Sequence, residues 1–375
     1  MLPEPDDTAK QRSDQLVQCI VSACEQQGGS IPFSRYMEIA LYQPGLGYYS
    51  GGLQKFGELG DFITAPEVSP MFAQCFARQI RQLLDNFHDQ GIENIDIIEF
   101  GAGSGVFAAD LLAELERLGA LPGRYLIIEL SAELQQRQKQ KLDTDVPHLA
   151  SSVTWLQSLP DRVDAAVVIA NEVLDAMPVE IFRRHAEGFD MVSIASDHGR
   201  LEQVFTPASG NVLAKLADIE QRSAIRFEPG YRSELNLSIP GWLAGLEAVI
   251  EHMALFIIDY GYNELEYFHP DRRDGTMMCY YRHRAHADAL WWPGLQDITA
   301  FVDFTDVAYA AVEHGLEVAG YTTQAAFLLA NGLAELHAEQ VPDGTDTASI
   351  QRQVSLSQQV KTLTLPSEMG DRFKV

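Results

Sequence analysis

The stretch Ile95-Asp96-Ile97-Ile98-Glu99-Phe100-Gly101-Ala102-Gly103-Ser104-Gly105-Val106-Phe107 limits the folds open to this chain more than any other part of it. A short β-branched run ends on an acid, and three glycines follow at alternate positions. Apolar residues then recur at helical spacing through Phe107, Ala108, Leu111, Leu112, Leu115 and Leu118. That order predicts a buried parallel strand, a tight turn and a helix. Glycine reaches positive φ without strain and lets a ligand lie against backbone N–H groups at the start of a helix. A glycine-rich turn with no ligand fits the same letters, so the turn alone does not name a function.

Two classes of nucleotide cofactor use such a turn. Dinucleotide sites favour G-x-G-x-x-G, which would put glycine or alanine at position 106, and this chain has Val106 after Gly105. The spacing here is G-x-G-x-G with Glu99 two residues ahead of the first glycine. That pattern resembles motif I of the class I S-adenosylmethionine (SAM) methyltransferases. One βαβ unit further on, Tyr125-Leu126-Ile127-Ile128-Glu129 is a second β-like run ending in an acid, placed where a carboxylate accepts both hydroxyls of a ribose. Dinucleotide enzymes carry an acid there too, so Glu129 points to a nucleoside without choosing between them.

At 375 residues the chain suffices for one large domain with insertions or for two. Its net charge of −26 repels phosphate backbones and anionic membranes, which argues against a nucleic-acid partner, although such acidity also serves solubility. No apolar run is long enough to span a bilayer, so no membrane insertion is expected. Cys19, Cys24, Cys75 and Cys279 show neither C-x-x-C nor His-bearing metal spacing, so the sequence suggests no metal site and no disulfide framework. Met1-Leu2-Pro3-Glu4-Pro5-Asp6-Asp7 reads as neither a signal nor a transit peptide, and a cytoplasmic location is the expectation.

In chain order, helical spacing marks Leu16, Cys19, Ile20 and Ala23, then a short helix with Ser34 as N-cap, then residues 71–87. Residues 43–67 are turn-rich, with aromatics and acids, and are long enough for a lid or binding loop. After Glu129 come a polar helix over 134–142, a third strand at 153–156 and a strongly buried fourth at 163–170. This βαβα alternation builds a parallel, doubly wound sheet. The fourth strand runs into Asn171-Glu172-Val173-Leu174-Asp175-Ala176-Met177-Pro178-Val179, an amide and two acids at the carboxyl edge where open α/β sheets bind ligands. Antiparallel ribbons added to the sheet are expected over 180–205, helices over 212–225 and 242–253, and a fifth buried strand over 254–262. Further strands are expected at 276–282 and 316–321, with a polar helix over 345–360.

Several stretches form a recognisable set: Tyr36-Met37 with Gly47-Tyr48-Tyr49, Gly60 to Pro70, Glu99 to Gly105, Asn171 to Val179 and Asp259-Tyr260-Gly261. Gln296-Asp297-Ile298-Thr299 with Val302-Asp303-Phe304-Thr305, and Gly320-Tyr321-Thr322-Thr323-Gln324, complete it. Through nearly the whole chain and in family order, they resemble the MidA family of SAM-dependent methyltransferases, whose mitochondrial member is a complex I assembly factor that methylates arginine. The resemblance implies an α/β fold: a class I SAM-dependent methyltransferase (Rossmann-like) sheet with an N-terminal helical and loop lobe and antiparallel ribbon insertions. Residues 1–90 would form the lobe over the active site. Residues 91–375 would form the SAM-binding domain, with insertions around 180–240 and 265–305. The tail from Met369 to Val375 departs from the pattern by stopping where a final strand is expected to continue.

The resemblance also implies SAM as cofactor. Gly101, Gly103 and Gly105 would receive its methionine part, with Glu99 in the same motif, Glu129 on the ribose and Asn171 under the transferred methyl group. The implied acceptor is an arginine-bearing client protein, and the surface also leaves room for a homodimer. A guanidinium stays protonated in solution and is a poor nucleophile. Acids hydrogen-bonded to one side of its fork draw charge onto one nitrogen and collect the proton released once the methyl has arrived. Glu172, Asp175 and Asp61 are the candidates for that work, with Glu67 and Asp259 behind them; Asp175 reads equally as the N-cap of a helix after the fourth strand. Tyr48, Tyr49, Phe62 and Tyr260 are candidates for an aromatic cage, or else for the core. A non-catalytic assembly factor that keeps the fold and a small-molecule methyltransferase stay open as alternatives. A nicotinamide enzyme ranks last because of Val106.

Overall fold

The structure, a computed structural model, describes residues 2–51 and 64–375. Its apolar runs meet as parallel strands. Ile95–Phe100 pairs with Tyr125–Ile128 on one side and Val163–Asn171 on the other; Val153–Leu156 extends the first side and Ile250–Tyr262 the second. Burial on both faces is why the central strands read as near-continuous apolar runs, interrupted by Asp96, Glu99 and Asp164, rather than as alternating patterns. Chain order reverses between Ile95–Phe100 and Val163–Asn171, and in such sheets the crevice that takes the ligand opens at the carboxyl ends of those two strands.

The residues divide into two compact units. The unit with the parallel sheet comprises 64–173, Leu243–Tyr260 and Leu316–Val375. Helix Pro70–Asp89 starts with Ser69 as N-cap, its hydroxyl accepting from Met71 N–H at 3.3 Å, and with proline in the first turn where no N–H is needed. Its Phe76 ring meets Phe107 of helix Val106–Leu118 at 5.9 Å and Phe327 of helix Gln324–Ala330 at 4.5 Å. Each buried phenylalanine of this kind contributes about 1.5–3 kcal/mol of transfer free energy. The tail does carry a strand: Phe373–Lys374 pairs antiparallel with Asp259–Tyr260.

The other unit comprises residues 2–51, Leu174–Trp242 and Gly261–Gly315. The expected ribbons are present as Glu180–Arg184, Phe189–Asp197 and Arg200–Pro207, but they do not join the parallel sheet. With Ser30–Pro32 and Arg232–Leu235 they form a separate five-stranded antiparallel sheet. Period-two patterning gives each face its own core. Ile181, Val192 and Ile194 pack with Leu16 and Ile20 of helix Asp7–Gln26, while Phe182 and Met191 pack with Val212, Leu216 and Ile219 of helix Gly210–Ser223. Gly261 and Tyr262 pair in parallel with Val302–Asp303, and a Cβ on Gly261 would collide with the Val302 carbonyl, so this approach requires glycine.

Four local expectations are corrected. Ser34 does not cap its helix, Phe33–Tyr42, which opens after Pro32; its hydroxyl donates to the Glu180 carboxylate instead. Helix Ile239–Val249 gives way to strand at Ile250, not at 254, because His252 and Met253 enter the ladder opposite Ala165 and Ala166. No strand forms at 316–321: Val318 is 47% and Tyr321 44% exposed, so there is no buried face to favour one. No helix follows the fourth strand, so the N-cap reading of Asp175 lapses; residues 172–179 lead directly to the ribbon strand Glu180–Arg184.

Candidate active site

Gly101, Gly103 and Gly105 adopt φ of 60°, 54° and 83°, so the alternating glycines of the sequence are alternating left-handed residues of the backbone. Gly105 also abuts the next helix, Ala132–Asp145: a Cβ there would lie 3.0 Å from the Cα of Gln138. Val106–Leu118 begins with no side-chain cap, leaving backbone N–H groups and the positive end of the helix dipole to face a ligand.

Glu129 follows Tyr125–Ile128 and is 7% exposed. Its Oε1 accepts from Ser131 N–H at 2.9 Å and its Oε2 from Gln138 Nε2 at 3.0 Å. The same Gln138 nitrogen donates to the Gly103 carbonyl at 3.0 Å, and Gln138 Oε1 accepts from the Trp155 indole N–H at 2.9 Å. Glu99, 2% exposed, accepts from the Tyr125 hydroxyl at 2.7 Å. Burial pushes its carboxyl up to about 7, with Tyr125 pulling it down and the charge of Glu129 adding to the rise.

The end of the fourth strand lies beside the glycine turn: a Cβ on Gly101 would be 3.6 Å from a Val173 methyl. Asn171 closes the strand with a buried Oδ1 that has no hydrogen-bond partner among the described residues. Glu172 has φ of 53°, a left-handed conformation that costs a residue with a Cβ about 1–2 kcal/mol. Its N–H is fixed by the Ile258 carbonyl at 2.8 Å. The structure thus brings Glu99, the three glycines, Glu129, Asn171 and Glu172 to one edge of one sheet. Left-handed glycines at a helix start, an oriented carboxylate and a buried amide oxygen without a protein donor suit a nucleoside joined to an amino-acid chain, as in SAM.

Asp175 belongs to the other unit, where it is 5% exposed and its carbonyl accepts from Ala300 N–H at 3.0 Å. In that unit Tyr49 donates to Asp297 Oδ1 at 2.9 Å and stacks on Tyr42 at 5.5 Å. Burial holds its hydroxyl well above the usual range, helped by Asp297 and, more weakly, Asp175. Tyr48 is a fully buried core ring, and Tyr260 packs edge-on against Phe373 at 5.4 Å. Asp259, fully buried, accepts from Tyr260 N–H at 2.9 Å, and Glu67 lies half-buried on the short helix Ala65–Val68. Asp61 and Phe62 lie outside the described residues. Among the described residues no cluster of His, Cys, Asp or Glu could hold a metal ion, and no helix is long and apolar enough to cross a membrane.

Sequence reasoning missed Gln138. A glutamine in a polar helix reads as surface, yet it shares the inward face with Leu134 and Leu142, one turn away on either side, and that spacing was the available signal.

Residues 75–322 match the family model described as "Putative S-adenosyl-L-methionine-dependent methyltransferase". The mitochondrial protein arginine methyltransferase NDUFAF7 of Xenopus laevis is 26% identical over 373 residues, covering 92% of this chain and 80% of that protein. Its Drosophila melanogaster homolog is 28% identical over 380 residues with the same coverage. A solved COG1565 superfamily member from Burkholderia thailandensis, bound to S-adenosyl-homocysteine, matches with a TM-score of 0.90 at 41% identity over 100% of this chain and 94% of that one. A native crystal structure of a COG1565 superfamily protein from the same organism gives 0.88 and 40%, with the same coverage of both chains. The sheet order, the glycine turn and these likenesses agree with what the motifs implied, and the chain belongs to the MidA family of SAM-dependent methyltransferases.

Proposed function

We propose that the chain transfers the methyl group of SAM to an arginine side chain of a client protein. The observation that carries this reading is Glu172, an acid held in a strained backbone conformation at the sheet edge beside the glycine turn. The names of the curated relatives, protein arginine methyltransferases that match 92% of the chain, support it. Bound SAM supplies an activated methyl group, and its in-line transfer asks chiefly for positioning. The glycine turn holds the methionine part and Glu129 orients the ribose. Glu172 accepts from one side of the guanidinium, draws positive charge toward that side, and takes up the proton that the methylated nitrogen sheds. Asp61 is proposed for the second carboxylate of the fork. We also propose a cytoplasmic location, on the ground of the four unbridged cysteines.

The test is to incubate the purified chain with methyl-labelled SAM and cell lysate, then separate the products by size. Label should enter protein, be recovered as methylarginine after hydrolysis, and vanish with Glu172→Gln. Label confined to small molecules would transfer the activity to a metabolite. Absence of label with intact S-adenosylhomocysteine binding would favour a non-catalytic assembly factor.

A further inference from the structure

We infer that Gln138 is a positioning residue that locks the glycine turn to the ribose carboxylate and so sets the cofactor pocket before the ligand arrives. The inference rests on the assignment of the glycines and Glu129 to SAM. Helix Ala132–Asp145 buries only Leu134, Gln138 and Leu142, and Gln138 is fully buried between two leucines. An amide in that place is costly unless each polar atom is paired. Here each is. The Trp155 indole nitrogen can only donate, so it must face Oε1, which settles the orientation of the amide. Both N–H groups then point to acceptors, the Gly103 carbonyl and Glu129 Oε2, each at 3.0 Å.

Those two acceptors come from different strand ends. Without a donor between them, a carbonyl dipole and a carboxylate would turn like-charged atoms toward one another. The peptide is planar, so holding the Gly103 carbonyl toward Gln138 also aims the Ser104 N–H the opposite way. Ser131 N–H takes the other oxygen of Glu129, so the carboxylate is fixed at both ends. The close approach of Gly105 to the Gln138 backbone keeps the helix near enough for this short side chain to reach. A core-filling role alone would require none of this pairing, and leucine would fill the space as well.

The experiment is calorimetric titration of the full chain with S-adenosylhomocysteine, at mildly alkaline and mildly acidic pH, for wild type, Gln138→Leu, Gln138→Glu and Glu129→Ala. Gln138→Leu leaves three groups unpaired, so it should unfold at a lower temperature than wild type yet remain folded at the assay temperature, and it should bind about tenfold or more weakly, as expected for a lost bond to a charged group. In turnover its KM for SAM should rise with kcat nearly unchanged. Gln138→Glu sets a second carboxylate against Glu129 and should bind still more weakly at alkaline pH. On acidification one proton shared between the pair restores a donor, and its gap to wild type should close while the Gln138→Leu gap persists. Glu99 also faces Glu129 and titrates in every variant, so the gap to wild type at each pH is the readout.

Wild-type affinity in folded Gln138→Leu, or a Gln138→Glu gap that ignores pH, would overturn the inference. Should Gln138→Leu not fold, the two Gln138→Glu titrations decide alone. Lost binding in Glu129→Ala with none lost in Gln138→Leu would sink the clamp and leave the ribose site standing; unchanged binding in Glu129→Ala would sink both.

Discussion

The end of strand Ile95–Phe100 and the end of strand Val163–Asn171 lie side by side, yet they meet the demands of a sheet edge in opposite ways. At the first, positive φ falls on glycines, and the neighbouring acids are held by named donors, Glu99 by Tyr125 and Glu129 by Ser131 and Gln138. At the second, positive φ falls on Glu172, and Asn171 keeps a buried oxygen without a protein donor among the described residues. Strain of this kind persists only where the surrounding structure enforces it, and here the Ile258 carbonyl does so through the Glu172 N–H. Under the proposed function this difference is a division of labour: the relaxed end binds the cofactor and the strained end serves the transfer.

The sharpest way to break the comparison is Glu172→Gln. It should lower kcat by about 10²–10⁴, the range for loss of general acid–base help, while calorimetry finds S-adenosylhomocysteine affinity within a factor of about two. An equal loss of affinity would move Glu172 to the binding end. Next, Gly103→Val forces a β-branched residue into φ of 54° and should weaken cofactor binding by about a hundredfold in a chain that circular dichroism shows to be folded. Normal affinity would remove the glycine turn from the site.

A third test concerns the acid inside the relaxed end. Folding raises the Glu99 carboxyl from 4.5 to about 7, so the folded chain holds this proton more tightly than the unfolded one. Its contribution to stability is therefore full below the unfolded value and is lost as pH rises through about 7. Glu99→Gln keeps an acceptor for Tyr125 and removes the buried charge. It should stabilise the chain by up to about 3 kcal/mol at alkaline pH and by nothing below about pH 4, seen as a pH-dependent gap in Tm. The smallest effect is expected from Glu172→Gly, which relieves the left-handed strain: thermal denaturation should show a gain of about 1 kcal/mol in an inactive protein. A loss of stability instead would mean that the Glu172 side chain holds the edge together.

How much of this was legible depends on how local the signal is. The parallel strands announced themselves because strands buried on both faces are apolar over most of their length, and the glycine turn because left-handed backbone has a residue of its own. Glu129 was found by register, one βαβ unit beyond the turn. Glu172 was found as an acid but not as a strained one, since no residue type marks a left-handed glutamate. The ribbons were legible as alternation, but their separate sheet depends on pairing Ser30–Pro32 with residues 193–195, far off in the chain and invisible to local pattern. Gln138 escaped because polarity suggests exposure, and only its two leucine neighbours contradict that.

Each compact unit is assembled from three separated stretches of chain. Neither core can close until residues far apart in sequence have met, and the entropy of those long loops must be overcome before the contacts that reward it form. Folding should accordingly be slow and highly cooperative within each unit, and no single cut in the chain separates the two units, because the stretches of one alternate with those of the other. Limited proteolysis in the linking segments should release pieces that aggregate rather than a stable cofactor-binding half.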